Sequence, residues 1–182
     1  MAADTNRPKV TPKQAFEGDP EIEVLSSDPN WIRLGIAPNM MLKQRVADFF
    51  RSQLDDLPND LCDKLAIALE ELIGNSIEHG CTVEPKCGVY LACIRTDRLL
   101  LFHLRDAGPG FSLNSIPHAA FSNPPEDPLK HAQYRSEKGM RPGGFGILLV
   151  KQIADELIYN EQGNEVLMIK YLDRGLTDRS SN

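Results

Sequence analysis

The stretch that Pro58-Asn59-Asp60 opens and Gly80 closes constrains the fold of this chain more than any other. Leu61, Leu65, Leu69, Leu72 and Ile73 recur there at three- and four-residue steps, the stripe of a helix running to about His79. Gly80 stands where glycine usually ends a helix. A helix of that length with one apolar side must lie on another layer. The segment before it offers a second helix over Met40–Leu54, introduced by Pro38-Asn39, with Leu42, Val46, Phe49 and Phe50 on one side.

The remaining periodic segments read as strands. Glu21–Ser26 and Trp31–Ala37 alternate apolar and polar residues across the turn Ser27-Asp28-Pro29-Asn30. Gly88–Arg95 and Leu99–Arg105 pair across Thr96-Asp97-Arg98, and Leu157–Asn160 pairs with Glu165–Leu172 around Gln162-Gly163. A short helix is expected over Phe145–Ala154. Strands and helices segregate instead of alternating, which predicts an α+β sandwich with helices on one sheet face. Repeated βαβ units and a G-x-G-x-x-G after the first strand, the marks of a Rossmann fold, are missing. So are Walker A, H-R-D and D-F-G.

One domain over residues 21–172 accounts for all of this. Residues 1–20, with three prolines among polar residues, read as a mobile arm with little to bury, and 173–182 as a polar tail. Residues 106–142 hold six prolines and little periodicity. A stretch of that kind inside a compact domain is usually functional, and a lid over about 112–142 is expected.

The net charge of −6 argues against a general nucleic-acid binder. No apolar run approaches the roughly 18 residues of a membrane span, and the N-terminus lacks the apolar segment of a secretory signal. A cytoplasmic protein without nucleic acid or membrane partners is expected. Cys62, Cys81, Cys87 and Cys93 contain no C-x-x-C pair and fit no zinc spacing, so reduced structural thiols are expected.

Three motifs carry chemistry. Steps of four residues put Glu71, Asn75 and His79 on one ridge beside the apolar stripe. An amide oxygen at Asn75 suits Mg²⁺, and a carboxylate one turn earlier suits proton transfer. Asp106-Ala-Gly108-Pro-Gly110 follows a strand. Its carboxylate can accept from an exocyclic amine such as that of adenine, and its glycines admit close backbone approach. Arg141-Pro-Gly143-Gly144-Phe145-Gly146 runs into a helix whose first N–H groups could meet phosphate. Taken alone, each motif fits a structural reading equally: polar residues at a helix edge, an Asp-Gly turn, a hinge before a core helix.

In this order the motifs resemble the N, G1 and G2 boxes of the GHKL (Bergerat-fold) ATPases, across about residues 21–172. As a free-standing domain with EELIGNSIEHG and GGFGILLVKQIADEL, the chain is most similar to the anti-sigma-factor serine/threonine kinases. The resemblance implies a two-layer sandwich with a mostly antiparallel sheet, a homodimer, and Mg²⁺ with ATP bound between helix and lid. It implies Glu71 as general base and Asn75 as the Mg²⁺ ligand, with His79 supporting the phosphate end. Asp106 would recognise adenine in a site shaped by Gly108 and Gly110. Gly144, Phe145 and Gly146 would cradle phosphates, with Lys138 and Arg141 as lid cations. The implied activity is phosphorylation of a STAS-domain anti-anti-sigma protein, alternating with capture of a sigma factor, and hence transcription regulation. A nucleotide-gated binding module without transfer is the alternative. Many members carry a Thr near the last strands, and Glu165–Leu172 has none.

Overall fold

The computed structural model describes residues 9–81, 88–111, 119, 123–124, 126–127, 129–140 and 144–172. Six antiparallel strands form one open sheet in the order β1-β2-β3-β4-β6-β5. They are β1 (Ile22–Asp28), β2 (Trp31–Ile36), β3 (Val89–Arg95), β4 (Leu99–Arg105), β5 (Glu156–Tyr159) and β6 (Glu165–Tyr171). The hairpins expected from alternation all form, because a half-buried antiparallel strand must alternate to bury one side. Helices α2 (Leu42–Gln53), α3 (Asn59–Asn75) and α5 (Gly146–Ile153) make the second layer, with α3 packed against both others.

The core lies between these layers. Val46, Phe50, Leu65, Leu69, Leu72, Ile73 and Val150 meet Leu34, Ile36, Leu91, Phe102, Leu104 and Met168 in one apolar cluster. The Phe50 ring stands edge-on to Phe102 at 5.6 Å and ties α2 to the central strand β4. On the uncovered sheet face, Trp31 and Ile94 are cross-strand neighbours and both exposed. The Arg33 guanidinium lies 5.0 Å from the Trp31 ring centre.

Four local features differ from the sequence expectation. Residues 9–20 pack on the domain where an arm was expected. Thr11 caps the short helix α1 (Pro12–Ala15) in a reciprocal bond pair with Gln14, and Phe16 is buried with its ring 4.9 Å from Phe49. Pro12 and Phe16 are the two buried side chains of this segment, too few for composition to reveal it. Helix α2 starts two residues late, at Leu42, after a turn in which the Asn39 side chain accepts the Met41 N–H at 3.0 Å. Inside the expected lid, Lys130–Glu137 forms helix α4, with His131 as its only buried side chain. The fourth difference is in the long helix, which leaves α geometry after Asn75 and finishes as a π-helical turn over Ser76–Gly80.

Asp56, just past α2, joins the N-terminal segment to the sheet. It accepts from Lys9 Nζ at 2.9 Å and from the Arg95 guanidinium, whose closer nitrogen also contacts it. The hydrogen-bonded Arg95 guanidinium holds this carboxyl well below the usual carboxylate range, against the opposing effect of burial.

Candidate nucleotide site

Glu71 and Asn75 lie one turn apart on α3, both half-buried, and both face the start of α5. A Cβ added at Gly146 would stand 2.3 Å from Glu71 Oε2 and 3.8 Å from Asn75 Nδ2. Glycine is needed at Gly146 for space, since any larger residue would displace the carboxylate. The neighbouring Glu70 is paired with Lys43 at 3.0 Å, so Glu71 is the carboxylate turned to this junction. No side chain caps α5, and its first N–H groups are the orphan donors that bind anions. Gly144, with φ of +92°, turns the chain into the helix in a conformation L-residues avoid.

The π turn sets the other end. It holds more residues per turn than an α-helix, so the ridge of four-residue steps ends at Asn75. His79 is exposed, and Gly80 takes the inward position. Asp106 presses against Gly80, where a Cβ would meet its Cγ at 2.2 Å. Gly108 then meets Gly80 backbone to backbone, its virtual Cβ 2.3 Å from the Gly80 carbonyl oxygen. Asp106 Oδ1 accepts the Gly108 N–H at 2.9 Å, and the Ser76 hydroxyl also bonds the carboxylate. Burial pushes the Asp106 carboxyl up, and these two bonds partly offset the shift. A half-buried carboxylate at a strand end, fixed by two donors, can accept one more hydrogen bond from an amine edge.

Behind this loop stands the β5–β6 turn. Gly110 and Gly163, at φ of +71° and +79°, cross so closely that a Cβ on either would stand 2.0 Å from a carbonyl oxygen, of Gln162 and Phe111 respectively. Asn164 Nδ2 donates to the carbonyls of Asp106 and Gly108 at 3.3 and 3.4 Å. Gly110 thus faces the supporting turn. Sequence reasoning missed Ser76, Gly80 and Asn164 as parts of this arrangement. The only available signal for Gly80 was a glycine at the helix end, which a plain C-terminal stop explains as well.

Lys138 follows α4 and is exposed, its ammonium 6.0 Å from the Tyr134 ring centre. Arg141, Pro142 and Gly143, and nearly half of the expected lid, lie outside the described residues, as does Cys87. Cys62 and Cys93 are buried free thiols, and burial pushes the Cys93 thiol up to about 12. Among the described residues no group of three or more His, Cys, Asp or Glu side chains converges on a metal site. An asparagine amide beside a carboxylate at an uncapped helix start is a donor set that fits Mg²⁺, which is commonly held by one or two protein oxygens, substrate phosphates and water.

A sheet backed by helices, with an acidic residue after a central strand facing the end of one helix and glycines opening another, defines a class of ATP-binding domain. The chain belongs to the histidine kinase-like ATPase domain family, which it matches over residues 41–170. It is 29% identical to an anti-sigma F factor of Oceanobacillus iheyensis over 135 residues, 72% of this chain and 83% of that protein. It is also 24% identical over 111 residues to the serine-protein kinase RsbW of the same organism, which covers 60% of this chain and 65% of the relative. Among the described residues no helix is long and apolar enough to cross a membrane.

Proposed function

We propose that this chain is an ATP-dependent serine/threonine protein kinase of the anti-sigma type, acting in the cytoplasm on a STAS-domain antagonist and alternating that act with capture of a sigma factor. The observation that carries the proposal is the junction of Glu71 and Asn75 with Gly146 at the uncapped start of α5. The names of the two relatives support the direction.

In this reading adenine seats at Asp106, and the polyphosphate runs to the first turn of α5. Bound Mg²⁺, held by the Asn75 amide oxygen, would neutralise phosphate charge. A serine or threonine hydroxyl of the antagonist attacks the γ-phosphorus, and the bond to the β–γ bridging oxygen breaks as ADP leaves. The hydroxyl proton passes to the Glu71 carboxylate. Positioning and charge neutralisation supply most of such a transfer. A homodimer is proposed with it, using the uncovered sheet face around Trp31 and Ile94, and sedimentation of the intact chain tests that element.

The central test is radiolabelled transfer from ATP to a STAS-domain protein from the same genome, beside a nucleotide titration. Glu71→Gln keeps shape but removes the proton acceptor, so transfer should fall by about 10²–10⁴-fold while ATP affinity changes little. Asn75→Ala should weaken Mg-dependent ATP binding itself. Full transfer by Glu71→Gln excludes it as the base. ATP binding by the wild type with no transfer to any candidate would favour a nucleotide-gated binding module.

A further inference from the structure

Helix α4 buries one side chain. Of its eight side chains only His131 is buried, and it is fully so; α4 packs broadly against no other helix or strand. The imidazole stands perpendicular to the Phe145 ring with centroids 4.5 Å apart. Phe145 is the residue that precedes α5, and Gly146 beside it touches Glu71. His131 thus links the lid helix to the phosphate turn through a ring contact.

The hydrogen bonds fix the state of that ring. The Asn123 side-chain oxygen accepts the His131 backbone N–H at 2.9 Å, so the amide nitrogen is what faces Nδ1, at 2.7 Å. An amide nitrogen donates, so Nδ1 accepts and the ring proton sits on Nε2. That Nε2–H is buried and meets no acceptor among the described residues. A buried donor without an acceptor is costly; a phenylalanine in the same seat removes that donor, and the half-buried Asn123 amide that served Nδ1 can turn to water. The anchor is built to hold α4 in place and also to weaken its own hold.

We propose that His131 is a releasable positioning residue: it seats α4 on Phe145 so that the start of α5 is shaped for phosphate, and its unpaired Nε2–H favours release, because opening lets that donor reach water. The nucleotide part rests on the ATP-binding reading above. The positioning part does not.

The test compares His131→Ala and His131→Phe in the full chain, with thermal melting as the folding control. Without nucleotide, amide hydrogen exchange over the first turn of α5 should quicken in His131→Ala and slow in His131→Phe. With ATP, dissociation should be faster in the alanine variant and slower in the phenylalanine variant, each on the order of tenfold, the worth of a buried unpaired donor. Adenosine, which lacks the phosphates, should dissociate alike from all three. A residue that merely fills space would leave His131→Phe at the wild-type rate, and that result overturns the proposal. So does unchanged exchange at α5 in His131→Ala. A wild type that binds no ATP sinks the kinase reading, and the nucleotide-free exchange then decides the positioning role alone.

Discussion

Gly80→Ala is the sharpest probe of how the adenine end is held. Gly80 has ordinary backbone angles, so only space decides the outcome. The new Cβ would sit 2.2 Å from Asp106 Cγ and 2.3 and 2.6 Å from its oxygens, against 3.4 Å for ordinary contact. The carboxylate must move by more than its bonds to Gly108 N–H and Ser76 can stretch. A hydrogen bond to a charged group is worth about 1.5–3 kcal/mol. With partial resolvation of this half-buried group, loss of its geometry should cost about 2 kcal/mol of adenine affinity, roughly 30-fold in Kd. Overpacking should also lower stability by about 1–3 kcal/mol. Calorimetry with adenosine and with ATP reads the first effect, urea unfolding the second. Gly74→Ala is the control on the same helix, since its Cβ would meet only the flexible chains of Lys43 at 3.4 Å and Met40 at 3.8 Å. Gly80→Ala with wild-type adenosine affinity would refute the placement of adenine at Asp106.

Other expectations follow from the titrating groups. Burial raises the Asp106 carboxyl, so its folded value lies above the unfolded one. The associated stability is present below about pH 4 and lost as pH rises through the folded value, leaving the ionised group a burden at neutrality. Asp106→Asn should therefore melt no lower than wild type at pH 7 while binding adenosine more weakly, since an amide there offers a donor to the adenine amine. Asp56 has the opposite sign: its depressed carboxyl contributes stability above about pH 4 that fades on acidification. Asp56→Asn should be less stable than wild type at pH 7, and the two unfolding curves should converge in acid. Equal stabilities at neutral pH would show that the Lys9 and Arg95 bridge contributes nothing measurable.

The strands and the three main helices were legible because burial on one side writes a period into the residues. Leu61 to Ile73 gives the helical step, and Trp31 to Ile36 gives the alternation. What escaped was what burial does not write. Helix α4 has a single inward side chain, and that one is a histidine, so no apolar pattern marks it. The π turn has no local signature either. Ser76-Ile-Glu-His-Gly80 would continue an α-helix readily, and the close approach of Gly108 and Asp106, distant in sequence, coincides with the change of winding. Phe16 is the same lesson at the N-terminal end, one aromatic among prolines and charges. For the site, residue types and order pointed to Glu71, Asn75, Asp106 and Gly146, while the contacts that orient them run through Ser76, Gly80 and Asn164.

The pairing of β4 with β6 has a consequence for how much the lid can vary. Seven register pairs from Leu99–Tyr171 to Arg105–Glu165 clamp the two ends of everything between those strands. Within that interval α5 packs on α3 and β5 pairs with β6, so the stretch from the end of β4 to the start of α5 is one closed loop. The entropy of closing such a loop grows only logarithmically, so even doubling its length costs about 0.6 kcal/mol. Lid residues can be gained, lost or exchanged with little effect on the sheet and helices beneath. The strand pair thereby separates two design problems: the framework that holds Asp106, Glu71 and Asn75 in place, and the segment that the proposed reading lays over them.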